Sequence, residues 1–339
     1  MYNNKFISHQ HDNYELERAY LKWYCFLKPF PYFWTEKYKS INVECAFDDK
    51  KNLPYVIHSG KRLYFAKTNY RLFTKKINIL FAKQTYKNLC IESDVNSPHR
   101  YTTETFNVGT GDVLFDVGAA EAWFTLDNIE KISHAYIFEA DIKWLAALEA
   151  TFEPYKHKVT IINKFAADRD GDNFVRLDSV FKESGCSVFI KLDVEGAESD
   201  VIKGIGYLTE NNNVKLAICT YHKEHDSERF KQYFEEKDYK TQLSNGYMLF
   251  PMPNWSNEQS FGKPSFRKGI LRVWKRAQFP SVEAEKNFLK QEEALCRKLV
   301  LASDGMLDKT LRCLNKLVFN KPVLRRTIWL SVANRFLKK

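Results

Sequence analysis

Five polar residues, Asp116, Glu139, Asp168, Asp193 and His222, each stand at or just after the end of an apolar run of strand length. Ligands of open α/β sheets bind outside the carboxyl ends of the strands. Any one of these side chains alone reads as a helix cap or a solvated loop residue; five at one edge predict a site. Asp116 opens a turn whose next residues, Gly118, Ala119 and Ala120, are small enough for backbone to approach a ligand. The helix pattern that starts at Trp123 would add its N-terminus to that turn.

The ligand can be narrowed. A dinucleotide calls for GxGxxG, yet Ala120 and Ala122 stand after Gly118, which disfavours a pyrophosphate cradle. Glu139 lies 23 residues beyond Asp116, at the end of the next strand, where a carboxylate can accept from two ribose hydroxyls. A nucleoside without pyrophosphate, such as the adenosine of S-adenosylmethionine, suits this turn. Asp168 would then take the adenine amino group and Asp116 the cationic end of the methionine. Methyl transfer from a sulfonium is an in-line displacement, in which positioning does most of the work. A hydroxyl acceptor also needs a base or a metal.

The fourth strand supplies candidates for that step. In extended chain Lys191, Asp193 and Glu195 share one face, and Ile190, Leu192 and Val194 the other. Charges in an apolar strand are costly unless paired, so a structural ion pair of Lys191 with Glu195 or Asp193 is the alternative reading. Glu195 and His222 are the candidate bases, with Asp193 orienting cofactor or substrate. A metal on Asp193 and Glu195 would have a thin ligand set, and none is expected. His222 reads equally as a hydrogen-bonded loop histidine.

The elements that position these residues alternate from Gly111 onward: a strand that opens the Gly111–Thr125 stretch and ends at Asp116, then strands at 134–140, 159–168, within 187–198 and at 214–222, with helices between them. That is the signature of a mostly parallel sheet with helices on both faces. Lys240–Phe250 reads as a terminal antiparallel pair turning at Asn245-Gly246, and Phe261–Arg276 as a basic, aromatic stretch closing one side of the core. Ahead of the sheet, Leu16, Tyr20 and Tyr24 mark a helix, Pro54–Ala66 a hairpin turning at Ser59-Gly60, and Tyr70–Leu89 a helix with a basic outer face. Ser97–Tyr101, SPHRY, is a loop before the central strand, read equally as a connector and as a lid.

Four of these stretches, DVGAAEA (Asp116–Ala122), FEA (Phe138–Ala140), VRLD (Val175–Asp178) and above all IKLDVEGAESDVIKG (Ile190–Gly204), resemble the FkbM family of methyltransferases. SPHRY and TYHKEHD (Thr220–Asp226) extend the resemblance, which covers roughly residues 97–275. It implies a class I, Rossmann-like, seven-stranded α/β fold that uses S-adenosyl-L-methionine and O-methylates sugars or other metabolites. It adds Glu121 and Ala140 to the cofactor residues and Lys191 to the catalytic set. Ala122 stands where the family usually has Gly; a negative φ there would preserve the turn.

Composition sets the remaining bounds. In 339 residues, 44% are hydrophobic, which is enough for a sizeable core. Seven cysteines without CxxC spacing read as reduced thiols, not a zinc site. The opening stretch lacks an apolar export core, and no apolar run reaches the roughly 18 residues of a membrane span. A cytoplasmic location is therefore expected. The formal charge is +10, and residues 309–339 carry nine basic side chains and no acidic one, leaving the other 308 residues near +1. That is a near-neutral body with a basic tail; the tail suits either packing of its apolar stripe on the protein's own core or peripheral contact with an anionic membrane. The expected organisation is an α+β N-terminal region (1–96), a methyltransferase core (97–280) and a helical extension with the tail (281–339), the acceptor being a small molecule or glycan. A nucleic-acid methyltransferase and a non-catalytic binding module are the alternatives. Against the first, the fourth strand is followed by DVEG, not an Asn/Asp-Pro-Pro-aromatic run.

Overall fold

The computed structural model describes residues 37–38, 40–67, 74–250 and 265–275. The helix expected around Leu16–Tyr24, the helical extension expected at 281–339 and its basic tail lie outside them. The chain divides into two compact units. One comprises Glu36–Ser244 and Lys268–Pro280, the other Met1–Thr35, Asn245–Arg267 and Ser281–Lys339. In the second, the described part is an antiparallel pair, Met248–Phe250 with Ser265–Arg267.

The first unit holds the site. Its strands are β1 (Cys45–Asp48), β2 (Leu53–His58), β3 (Lys61–Tyr64), β4 (Val113–Val117), β5 (His134–Phe138), β6 (Val159–Ile162), the short pair β7 (Phe165–Ala166) and β8 (Phe174–Val175), β9 (Ser187–Leu192), β10 (Asn213–Cys219) and β11 (Tyr239–Leu243). With the pair of the other unit numbered β12 and β13, the last strand, Ile270–Lys275, is β14. The α-helices are α1 (Lys75–Glu92), α2 (Trp123–Asn128), α3 (Leu145–Phe152), α4 (Leu177–Val180), α5 (Glu198–Lys203), α6 (Gly206–Asn211) and α7 (Asp226–Glu235).

Seven strands form one sheet in the order β6-β5-β4-β9-β10-β14-β11, the architecture expected of a class I methyltransferase. The five strands from β6 to β10 are parallel, and β14 runs antiparallel to both β10 and β11. The hairpin expected at 240–250 does not form within this sheet. The partner of β11 is β14, because Ile270–Lys275 has the longer apolar run and fills the slot between β10 and β11. Alternation along β4 and β9 sends Val113, Phe115, Val117, Val188, Ile190 and Leu192 into one core layer. Leu114 and Phe189 enter the other.

The N-terminal elements belong to the same compact unit as the sheet. Ser59 and Gly60, both at positive φ, turn β2 into β3 as expected, and β1 adds a third strand. Leu53 and Tyr64 pack on Ala147 and Ala150 of α3. The backbone N–H of Tyr64 donates to Thr151 Oγ1 at 3.0 Å. Helix α1 begins on Thr74, whose hydroxyl accepts from Ile77 N–H.

Candidate active site

The register of the central strands decides the first contact. Asp116 and Lys191 are direct partners across β4 and β9 and lie on the face of Leu114 and Phe189. On the neighbouring strand, opposite Lys191, stands Ala217, whose small side chain leaves room for the lysine. Both charges are buried, and Lys191 Nζ lies 3.0 Å from Asp116 Oδ1. Thr125 Oγ1 donates to Asp116 Oδ2 at 2.7 Å, and Lys191 Nζ also donates to the Gly118 carbonyl. Burial would lower the lysine's pKa, but the charges of Asp116 and Asp193 outweigh it and raise it to about 12. The ion pair expected of Lys191 thus exists with a different acid. Asp116 lies behind the turn, fully buried, as the counter-ion of Lys191.

The turn above this pair is held from three sides. Gly118 N–H and Ala119 N–H both donate to the Phe138 carbonyl. Gly118 has φ +74, and a Cβ there would lie 1.8 Å from the Asp193 carbonyl oxygen. The small residue at 118 therefore serves a backbone-to-backbone contact between the turn after β4 and the end of β9. Ala120 and Ala122 have φ +47 and +53, so the negative φ expected at Ala122 is not adopted; both are L-residues in left-handed conformation. Glu139, after β5, accepts from Ala120 N–H through Oε2 and from Asp141 N–H through Oε1, each at 2.8 Å. A carboxylate has about four lone-pair sites, so Glu139 keeps capacity for two more donors. The carbonyls of Glu139 and Ala140 are tied to Asn163 Nδ2. Asp168 is partly exposed beside Arg169, and the Ala167 carbonyl packs against Gly204. Glu121 is buried. Its desolvation, opposed by its own backbone N–H and by Lys191, lifts its pKa to about 7.

Strand β9 ends at Leu192, so the shared face expected for Lys191, Asp193 and Glu195 breaks there. Asp193 faces a ring of donors that the sequence reading did not assemble. Tyr101 donates to its Oδ2 at 2.8 Å and Tyr221 to its Oδ1 at 3.2 Å. His99 Nε2 lies 3.6 Å and His222 Nε2 3.5 Å from the same carboxylate. Burial alone would raise the Asp193 pKa; His99, Lys191 and His222 together hold it far below the usual carboxylate range. His99 is raised in turn: Asp193 and Glu92 outweigh its desolvation.

Glu195 has φ +54 and an exposed side chain, with Oε2 at 3.5 Å from His222 Nε2. Its turn is clamped by Glu198, which is fully buried. One oxygen, Oε1, accepts from Val194 N–H at 3.0 Å, from Gly196 N–H at 3.3 Å and pairs with His222 Nδ1 at 2.8 Å. Burial pushes the His222 pKa down, but Glu198 first and then Asp193 and Glu195 turn the net shift upward.

The structure thus gathers Lys191, Asp193, Glu195 and His222 at one end of the sheet, next to the Gly118 turn. The sequence reading missed His99, Tyr101, Tyr221 and Glu198 as site residues. SPHRY reads from sequence as a loop, and its orientation depends on distant chain. Arg272, buried on β14, donates to the carbonyls of Arg100 and Tyr101, and Ser244 Oγ to that of Pro98. Glu198 had a signal, since it closes the EGAE run and begins α5.

The model of the methyltransferase FkbM domain matches residues 13–241, more than half of the chain. The chain belongs to the FkbM methyltransferase family. Solved structures to which the chain is similar include an FkbM methyltransferase from Methylobacillus flagellatus KT. That protein is 18% identical over 60% of this chain and 56% of its own, with a TM-score of 0.39. A Streptococcus mutans protein described as a methyltransferase and crystallised with SAH is 14% identical over 52% of this chain and 94% of its own, TM-score 0.32. A Pyrococcus horikoshii protein described as an RNA methyltransferase is 14% identical over 57% and 84%, TM-score 0.31. The chain spans little more than half the length of the Methylobacillus protein. No curated protein matches the sequence. As an FkbM-family chain, this one carries the family's turn with Ala at 122 and its KxDxEGxE run intact at 191–198. Among its described residues no helix is long and apolar enough to cross a membrane.

Proposed function

We propose that this FkbM-family chain is an S-adenosylmethionine-dependent O-methyltransferase acting on a hydroxyl of a glycan or related metabolite. The observation that carries the reading is the contact of Gly118 with the Asp193 carbonyl. It joins the cofactor turn to the polar cluster, as a group transfer between two bound molecules requires. The residues fit the cofactor: Glu139 has spare acceptor capacity for ribose hydroxyls, Asp168 is partly exposed for the adenine amine, and Gly118 keeps the turn free of a Cβ. S-adenosylmethionine supplies a methyl group on a sulfonium. The chain's own work is to hold the acceptor oxygen beside Asp193 and His222 and to remove its proton. Glu195 performs that removal, from a turn that Glu198 holds. Tyr101 and Tyr221 hold Asp193 in one orientation.

We assign the protein to the cytoplasmic side, where its basic tail (309–339) would touch an anionic leaflet; that assignment rests on the sequence. Titration calorimetry of the full chain with S-adenosylmethionine tests the reading. One site per chain is expected, and Glu139→Ala should weaken it by about 1.5–3 kcal/mol through lost charge-assisted hydrogen bonds. Absence of binding by the full chain would make it a non-catalytic module. Salt-sensitive retention of RNA with methyl incorporation into it would replace the glycan by nucleic acid.

A further inference from the structure

The proton-removing group identified above is an exposed carboxylate, a weak base for an alcohol. Something must lower the pKa of the hydroxyl it faces, and the side chains beneath Glu195 have the composition to do so. One donor atom from each of Asp193, Glu198 and His222 lies within 4.8 Å of the other two. His222 Nε2 stands 3.5 Å from Asp193 Oδ1 and 3.5 Å from Glu195 Oε2. Those separations are long for a hydrogen bond. They match the spacing of donors that share one ion at about 2.1 Å, which is roughly 3.0–3.5 Å. His222 Nδ1 is engaged at 2.8 Å by Glu198, the outer carboxylate that commonly orients a metal-bound imidazole. Glu198 contributes a second observation. Its other oxygen, Oε2, is fully buried and has no hydrogen-bond partner among the described residues. Three carboxylates therefore converge on one imidazole, and one of them, Glu198, keeps an unpartnered buried oxygen within that cluster.

We infer that Asp193 and His222, backed by Glu198 and completed by Glu195 from the solvent side, form a seat for a hard divalent cation of the magnesium or manganese class. The inference rests on the reading of the site as one that methylates a hydroxyl. The cation lowers the pKa of the acceptor hydroxyl. Its proton passes to Glu195, the O–CH3 bond forms, the S–CH3 bond breaks, and the neutral thioether leaves. Two carboxylates and one imidazole favour this class over soft thiolate-seeking metals, and Glu195, being exposed, can swing to the ion without moving the backbone.

The test is binding of Mn²⁺ alone to the metal-stripped full chain, followed by electron paramagnetic resonance. One Mn²⁺ per chain is expected. Asp193→Asn and His222→Gln should each weaken it at least tenfold, and Glu198→Gln tenfold or more through the lost orientation of His222. Glu224→Gln, an exposed acid in the following loop, should leave it unchanged. Because a substitution at a buried position can unfold the chain, the wild type carries an independent readout. Mn²⁺ should broaden the His222 ring resonances selectively at substoichiometric metal. No stoichiometric Mn²⁺ in the wild type, equal binding by a folded His222→Gln, or broadening centred elsewhere overturns the inference. S-adenosylmethionine binding is titrated separately in chelator. If the cofactor binds and methyl is transferred without metal, the cation falls and the methyltransferase reading stands. If Mn²⁺ binds and the cofactor does not, the failure lies with that reading.

Discussion

Glu195 and Glu121 show how one residue type is given opposite roles by its surroundings. Glu195 is solvent-exposed on a left-handed turn, and its own side chain supports little of the fold. Glu195→Gln should therefore keep the melting transition and the cofactor affinity while cutting turnover by roughly 100-fold or more, the usual worth of a positioned base. Full turnover in that variant would remove the base from Glu195. Glu121 is the reverse case. Its carboxyl is buried near Lys191, Asp116 and Glu92, and desolvation raises its pKa to about 7. A buried acid with a raised pKa binds its proton more tightly folded than unfolded. Its penalty is absent below the unfolded value of 4.5 and grows as pH rises to about 7, reaching roughly 3 kcal/mol. Glu121→Gln, which mimics the protonated form, should flatten the stability profile between these values and gain stability at pH 8. Urea unfolding at pH 5 and pH 8 measures both effects. A parallel loss of stability at both pH values would mean that Glu121 acts as an anion.

The elements were legible where one local rule decided them. Apolar runs of strand length located β4, β5, β9 and β10, and Ser59-Gly60 marked the hairpin. Legibility failed where the outcome was a competition between segments. Met248–Phe250 looked like the natural partner of 240–243, but β14 has six residues with five of them buried, and it takes the slot. The turn after β4 was half legible. Its small residues were visible; their reasons were not, because the neighbour that constrains Gly118 lies 75 residues on, at Asp193. This separates two substitutions that look alike in sequence. Gly118→Ala sets a Cβ against a backbone oxygen that cannot rotate away. It should cost roughly 3 kcal/mol or more, at the upper end for a point mutation, and abolish cofactor binding. Ala122→Gly relieves a left-handed L-residue, worth about 1–2 kcal/mol, against a buried methyl worth about 0.8 kcal/mol and extra freedom in the unfolded chain. It should stay within about 1 kcal/mol of the parent. Thermal melts of the two variants decide the point, and equal losses would refute the backbone contact as the cause.

At the scale of the molecule, the site is closed by contacts that no local pattern encodes. Arg272 reaches back across more than 170 positions to carry the Arg100 and Tyr101 carbonyls, so the last strand orients the loop that presents Tyr101 and His99 to Asp193. Charge, by contrast, is read directly from the sequence, and it is unevenly placed: nine basic residues in 309–339 against a body near neutrality. In that segment Leu324, Ile328, Val332 and Phe336 recur every four residues, and Arg325, Arg326, Arg335, Lys338 and Lys339 have no acid to offset them. Such a pattern suits an interfacial helix, apolar side down, with about 1 kcal/mol added per basic residue near an anionic surface. The full chain should therefore sediment with vesicles containing anionic lipid and not with neutral ones. It should be released near 1 M salt, where the Debye length falls to about 3 Å. Replacing the five cations by Gln should leave methyl transfer to a soluble acceptor intact while the protein stays in the supernatant. If the neutralised chain sediments as the parent does, the attraction is not electrostatic and the tail is not the contact. If neither sediments, the apolar stripe has a partner within the protein, and the nine charges serve solubility.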